Sequence, residues 1–282
     1  MDTFKMVVRR ERGKMQASLQ SMTTRPAAVV GQFYAGDPDQ LRTQILQLFA
    51  DVEPSANVRP KALIAPHAGY VYSGRIAAAA FATLRDIAQT ITRVVLIGPA
   101  HYLHVHGIAA PTVDAFETPL GRVPIDVEAL HKIADLPSVI RADAPHAPEH
   151  ALEVELPFLQ TLLGSFQLVP LVVGDAVPKD VAHVLRQLWG GPETLIVVSS
   201  DLSHYHSYET ARRLDSATAA AIERADWASL GPNNACGCLP VAGLLVEAER
   251  RGLKVQRLSL CNSGDTVGSR DRVVGYGAWM FA

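Results

Sequence analysis

Lys61-Ala62-Leu63-Ile64-Ala65-Pro66-His67-Ala68-Gly69-Tyr70 joins a short aliphatic run to a Pro/Gly-marked turn that carries a histidine. Four consecutive aliphatic residues with such punctuation predict a buried strand that ends at the imidazole. The same arrangement recurs twice. Val94-Val95-Leu96-Ile97 runs into Gly98-Pro99-Ala100-His101, and Leu195-Ile196-Val197-Val198 runs into Ser199-Ser200-Asp201-Leu202-Ser203-His204. In open α/β sheets ligands bind beyond the carboxyl ends of the strands. Three histidines placed there predict convergence on one metal or acid–base centre.

Outward from these runs, strands alternate with helices. Pro38-Asp39 opens a helix carrying Leu41, Ile45 and Leu48, and Ser73-Gly74 starts an Ala-rich helix with Ile76, Ala80 and Leu84. Over residues 107–125 a hairpin or pair of short strands is expected around Thr118-Pro119-Leu120-Gly121. A helix begins near Pro148-Glu149-His150 with Leu152, Leu156, Leu159 and Leu163 on its apolar face, and Pro157 should kink or split it. Residues 168–173 read as a strand and 208–225 as a helix. Pro240 and Gly252 bracket another helix. Two adjoining strands, near 254–260 and 273–281, close the chain. This pattern predicts an α/β fold: one domain over residues 25–282, with a central mixed β-sheet flanked by helices. Residues 1–24 carry Lys5, Arg9, Arg10, Arg12 and Lys14 against Asp2 and Glu11, lack the apolar core of a secretory signal, and are expected to be a disordered extension.

Composition narrows the function classes. The chain has 282 residues, is 48% hydrophobic and 19% charged, and has a formal net charge of −2, which argues against a nucleic-acid partner. No apolar stretch approaches the ~20 residues of a membrane span. Cys236, Cys238 and Cys261 are an odd number in a long chain. That argues against a disulfide framework and for reduced thiols in a cytoplasmic protein.

Imidazole suits Zn, Fe, Cu and Ni. His67 and His101 plus one anionic donor would make a three-ligand site with open positions for O2, water or a small-molecule substrate. Cys236-Gly237-Cys238 precedes a helix, whose N-terminus should lower a thiol pKa and favour a metal ligand or redox-active sulfur; two small buried residues are the plainer reading. Asp201 and His204 share one segment. Either Asp201 tunes His204 as a general acid or base, or Asp201 caps a turn and His204 is merely exposed. His104 and His106 alternate after His101, as a peripheral metal pair or as a solvated loop. Glu149-His150 could approach the site or simply suit a helix start.

The residues from about Arg25 to the C-terminus resemble the Memo family, whose bacterial members are called AmmeMemoRadiSam system protein B. The resemblance is carried by Gly31-Gln32-Phe33-Tyr34, Pro66 to Gly74, Gly98-Pro99-Ala100-His101, Glu149-His150-Ala151-Leu152-Glu153, Ser199 to His204 and Cys236-Gly237. It implies a fold like that of class III extradiol dioxygenases, which hold non-haem Fe(II) with two His and one Glu. In Memo-like proteins a Cys replaces the Glu. Carried over, the resemblance implies His67, His101 and Cys236 as metal ligands, with Asp201 and His204 as neighbouring catalytic residues. His150, Tyr70 and Cys238 complete the expected pocket. Fe(II) is the first expected cofactor, with Cu(I/II) next and Zn(II) an alternative. After Cys236-Gly237 the eukaryotic pattern has a basic residue and a His, where this chain has Cys238 and Leu239. A redox or dioxygenase-like enzyme of unknown substrate is the leading expectation. The thiolate donor weakens transfer of ordinary catechol cleavage. A non-catalytic metal-binding or interaction module beside radical SAM and AMMECR-like partners is a second reading, and a zinc hydrolase a third.

Overall fold

The aliphatic runs do form buried strands. In this computed structural model, which describes residues 23–52 and 58–282, every residue of Ala62–Ala65 and Thr194–Ser199 is buried. The strands in chain order are β1 (Thr24–Arg25), β2 (Ala62–Ala65), β3 (Arg93–Pro99), β4 (Ile108–Ala110), β5 (Ala115–Thr118) and β6 (Gly121–Pro124). They continue as β7 (Val139–Arg141), β8 (Gln167–Val173), β9 (Thr194–Ser199), β10 (His204–His206), β11 (Val255–Asn262) and β12 (Val273–Phe281).

The main sheet runs β10-β12-β2-β9-β3-β8-β4-β7, with β11 also paired to β12. Its centre, β2-β9-β3-β8, is parallel. β12 joins β2 antiparallel and β4 joins β8 antiparallel, so the sheet is mixed as expected. β5 and β6 form the hairpin expected around Thr118–Gly121 and pair with β1 in a smaller sheet. Ala65 is level with Ser199, and Ile97 with Val198. The carboxyl ends of β2, β9 and β3 therefore lie side by side, which places the segments bearing His67, Asp201 and His101 at one edge of the sheet.

The helices are α1 (Pro38–Ala50), α2 (Tyr70–Ala82), α3 (Val127–His131), α4 (Leu156–Leu163), α5 (Pro178–Leu188), α6 (Tyr208–Glu223) and α7 (Cys238–Arg251). α2 packs on β2, β11 and β12, and α7 on β3, β9 and α5. β4 falls in the 107–125 stretch expected to hold short strands, whereas the short strands β7 and β10 and the helices α3 and α5 were not expected from the sequence.

Three boundaries differ from expectation. α2 starts at Tyr70, ahead of Ser73-Gly74, because the Tyr70 N–H donates to the Phe33 carbonyl at 2.8 Å and the start is satisfied by backbone alone. α7 starts at Cys238, with Pro240 in its first turn. No helix begins at Pro148. Residues 153–155 form a single 3-10 turn, and α4 begins at Leu156 with Pro157 in its first turn, where a missing N–H costs nothing.

The irregular 146–153 segment is tied down by buried charge. Glu153 is fully buried and ion-paired to Arg25, and it accepts from Ala28 N–H (2.7 Å), Val29 N–H (3.0 Å) and the Tyr34 hydroxyl (2.5 Å). Arg25 also donates to the carbonyls of His146 (2.8 Å) and Glu149 (2.6 Å). The disordered extension expected over 1–24 lies outside the described residues apart from Thr23 and Thr24. Thr23 donates to Asp114, and Thr24 pairs with Ala115.

Candidate metal centre

His67 follows β2 and its ring is buried. Its N–H donates to Asp201 Oδ1 at 2.9 Å, its Nδ1 meets Ser199 Oγ at 2.7 Å, and its Nε2 lies 3.4 Å from Cys236 Sγ. His101 follows β3. Glu149 holds it twice, accepting from the backbone N–H (2.7 Å, Oε2) and from ring Nδ1 (2.8 Å, Oε1). A carboxylate only accepts, so the His101 proton sits on Nδ1 and the Nε2 lone pair is free. This is the carboxylate–histidine arrangement that orients metal-binding imidazoles.

Cys236 arrives from the other side of the chain. Its N–H donates to the Asp201 carbonyl at 3.3 Å, and its Sγ accepts from the Asp201 N–H at 3.3 Å. Gly237 permits this approach: a Cβ there would stand 2.6 Å from Ser200 Cβ. The metal-ligand atoms of His67, His101 and Cys236 all lie within 4.8 Å of one another. That spread, two neutral imidazoles and a sulfur, fits one soft-to-borderline metal ion. A second grouping, His101 with Glu149 and His150, shares His101. Its carboxylate is already occupied by His101 and by the Ala151 N–H at 2.9 Å, so the His67/His101/Cys236 set is the better fit.

Electrostatics follow burial. Burial, reinforced by the Asp201 carboxylate, pushes the Cys236 thiol up, against the lowering expected from a helix start. The reason is that α7 begins only at Cys238, while the sulfur itself is enclosed. Burial pushes the Asp201 carboxyl up to about 7, opposed by the His67 N–H. His67 and His204 are pushed down by burial, and His150 down to about 4. His204 Nδ1 donates to the Leu202 carbonyl at 2.8 Å, which leaves its Nε2 as an acceptor.

A cavity of about 740 Å³ opens over these groups. His67, His101, His150, Asp201, His204 and Cys236 all line it. His150 stacks on His101 with centroids 4.7 Å apart. Two expected pocket residues are elsewhere. Tyr70 is buried in the core and donates its hydroxyl to the Val154 carbonyl at 2.8 Å. Cys238, the first residue of α7, is buried in the hydrophobic core, outside the ligand group and the cavity lining. Side-chain direction changes where the backbone enters the helix at Cys238, so a neighbour of a ligand in sequence need not be its neighbour in space. Sequence reading missed the aromatic wall of Phe33, Tyr72, Tyr102, Tyr205 and Tyr276. Phe33 and Tyr72 lie inside the Gly31–Tyr34 and Pro66–Gly74 motifs, whose aromatic content is the sequence signal for this wall.

A family model described as "Memo-like protein" matches residues 25–280. A MEMO1 family protein of Aquifex aeolicus is 35% identical over 271 residues, covering 92% of this chain and 100% of the relative. One of Methanosarcina acetivorans is 35% identical over 280 residues, covering 91% of this chain and 98% of the relative.

Proposed function

The chain belongs to the Memo-like protein family, and from that premise we propose that it binds one redox-active metal ion, iron first and copper second, through His67, His101 and Cys236. The observation that carries this reading is the convergence of three donors within 4.8 Å, with both imidazoles backed at Nδ1, His101 open at Nε2 and His67 Nε2 facing the Cys236 sulfur. Both rings are thereby fixed before any ion arrives, which lowers the ordering cost of binding. Loading the site takes the proton from Cys236, so binding should tighten as pH rises.

When bound, such an ion supplies one-electron chemistry and open positions for O2 or a small substrate. The remaining roles belong to this chain. His204 takes or returns a proton at Nε2, since its Nδ1–H is committed to Leu202. Asp201 holds the His67 backbone and the Cys236 thiol in one frame. The aromatic wall shields the site from water and presents flat apolar surface to a substrate. The exposed rim of Val71, Tyr102 and Tyr205 favours a second reading, a metal-loaded surface that docks a protein partner without turnover.

The test is anaerobic titration with Fe(II), and separately Cu(I), of wild type and Cys236→Ser. Tight one-to-one binding that is lost in the variant is expected. Folded wild type that takes up neither ion would overturn the metal reading and leave the docking one.

A further inference from the structure

Beyond the cavity, the loop after β3 carries a second convergence of metal donors. His104 and His106 flank Val105, which is buried while both histidines are exposed. Residues two apart on an extended segment share a face, and here the two rings meet with centroids 4.4 Å apart. Asp175, just beyond β8, meets both rings with one oxygen. Its Oδ2 lies 3.2 Å from His104 Nε2 and 3.8 Å from His106 Nδ1.

The backbone under this cluster is a small pairing of two segments. Asp175 N–H donates to the Val105 carbonyl at 2.7 Å, Gly107 N–H to the Asp175 carbonyl at 3.1 Å, and Gly174 N–H to the Gly107 carbonyl at 2.9 Å. His106 and Asp175 are direct partners in a parallel bridge. Glycine is needed at 174, because a Cβ there would stand 2.0 Å from the Val105 carbonyl oxygen. The donors are thus carried on paired backbone rather than on a free loop.

We propose that His104, His106 and Asp175 form a second, surface site for a borderline divalent cation, Zn2+ or Cu2+. The three ligand atoms lie within 4.8 Å of one another. A tetrahedral ion with bonds of about 2.0–2.1 Å needs its ligands about 3.3 Å apart, close to the 3.2 and 3.8 Å already present. Two nitrogens and one carboxylate oxygen, with no sulfur, select Zn2+ or Cu2+ over softer Cu(I). Their exposure leaves the remaining positions to water. Occupancy would add a side-chain cross-link to the backbone pairing that already joins the segment after His101 to the end of β8.

The experiment is equilibrium dialysis of the intact chain against Zn2+ with metal analysis, on four proteins whose fold is checked by circular dichroism. These are wild type, His104→Ala/His106→Ala, His101→Ala/Cys236→Ala, and Asp175→Asn. Wild type should hold two equivalents, the surface double variant one, and the cavity double variant one. Asp175→Asn keeps the backbone pairing and should also lose one equivalent. If the surface double variant retains as much zinc as wild type, any extra ion sits on other imidazoles such as His131 or His183, and the proposal is overturned. Loss of zinc in the surface variant with none lost in the cavity variant would support this site while counting against the cavity centre.

Discussion

At the scale of single residues, each candidate ligand depends on a partner that is not itself a ligand. Glu149 fixes His101 through two hydrogen bonds and is almost wholly buried. Glu149→Gln keeps the volume but removes the charge that holds the Nδ1 proton. Metal affinity should fall about 10- to 100-fold, read by calorimetry, with unfolding midpoints close to wild type; unchanged affinity would remove Glu149 from the centre. His204→Ala should keep the metal and abolish any turnover. An equal rate in that variant would take His204 out of the chemistry. The glutamate and the two imidazoles were legible as residue types, yet their pairing was not. Glu149 is 48 residues from His101, and only the fold brings them together.

At the scale of elements, the segment between β7 and α4 does more than connect them. It is irregular because its polar groups bond to the N-terminal segment rather than to a helix ladder, and Glu153 is the centre of that exchange. Glu153→Ala would strand Arg25 as an unpaired buried charge, a change that costs about 3–5 kcal/mol. Urea denaturation should show that loss, and a change below about 1 kcal/mol would contradict the anchoring role. The expectation of a helix from Pro148 failed for this reason. Leucine spacing argued for one, but buried ion pairing outweighed helix propensity, which amounts to less than about 1 kcal/mol per ordinary residue.

At the scale of the whole molecule, the interior holds several histidines in neutral form, and this sets an acid limit on stability. Burial pushes His146 down to about 4, against the ordinary 6.5. A lowered folded pKa contributes stability that is fully present above the unfolded value and is lost as pH falls from about 6.5 towards 4. His146 alone should account for about 2 kcal/mol between pH 7 and pH 5. A His146→Gln variant should show a shallower decline in urea midpoint over that range; identical slopes would refute the assignment. No helix among the described residues is long and apolar enough to cross a membrane. The strand runs, the mixed α/β class and the histidines at strand ends were all readable from the chain, because these follow from local patterns of burial and punctuation. Which residues meet emerges with the three-dimensional fold. It brought Cys236 to His67 across 169 positions, sent Tyr70 and Cys238 into the core, and assembled an aromatic wall from segments far apart in the chain. Sheet order and register fix such meetings, and both arise from long-range strand pairing that no local pattern encodes.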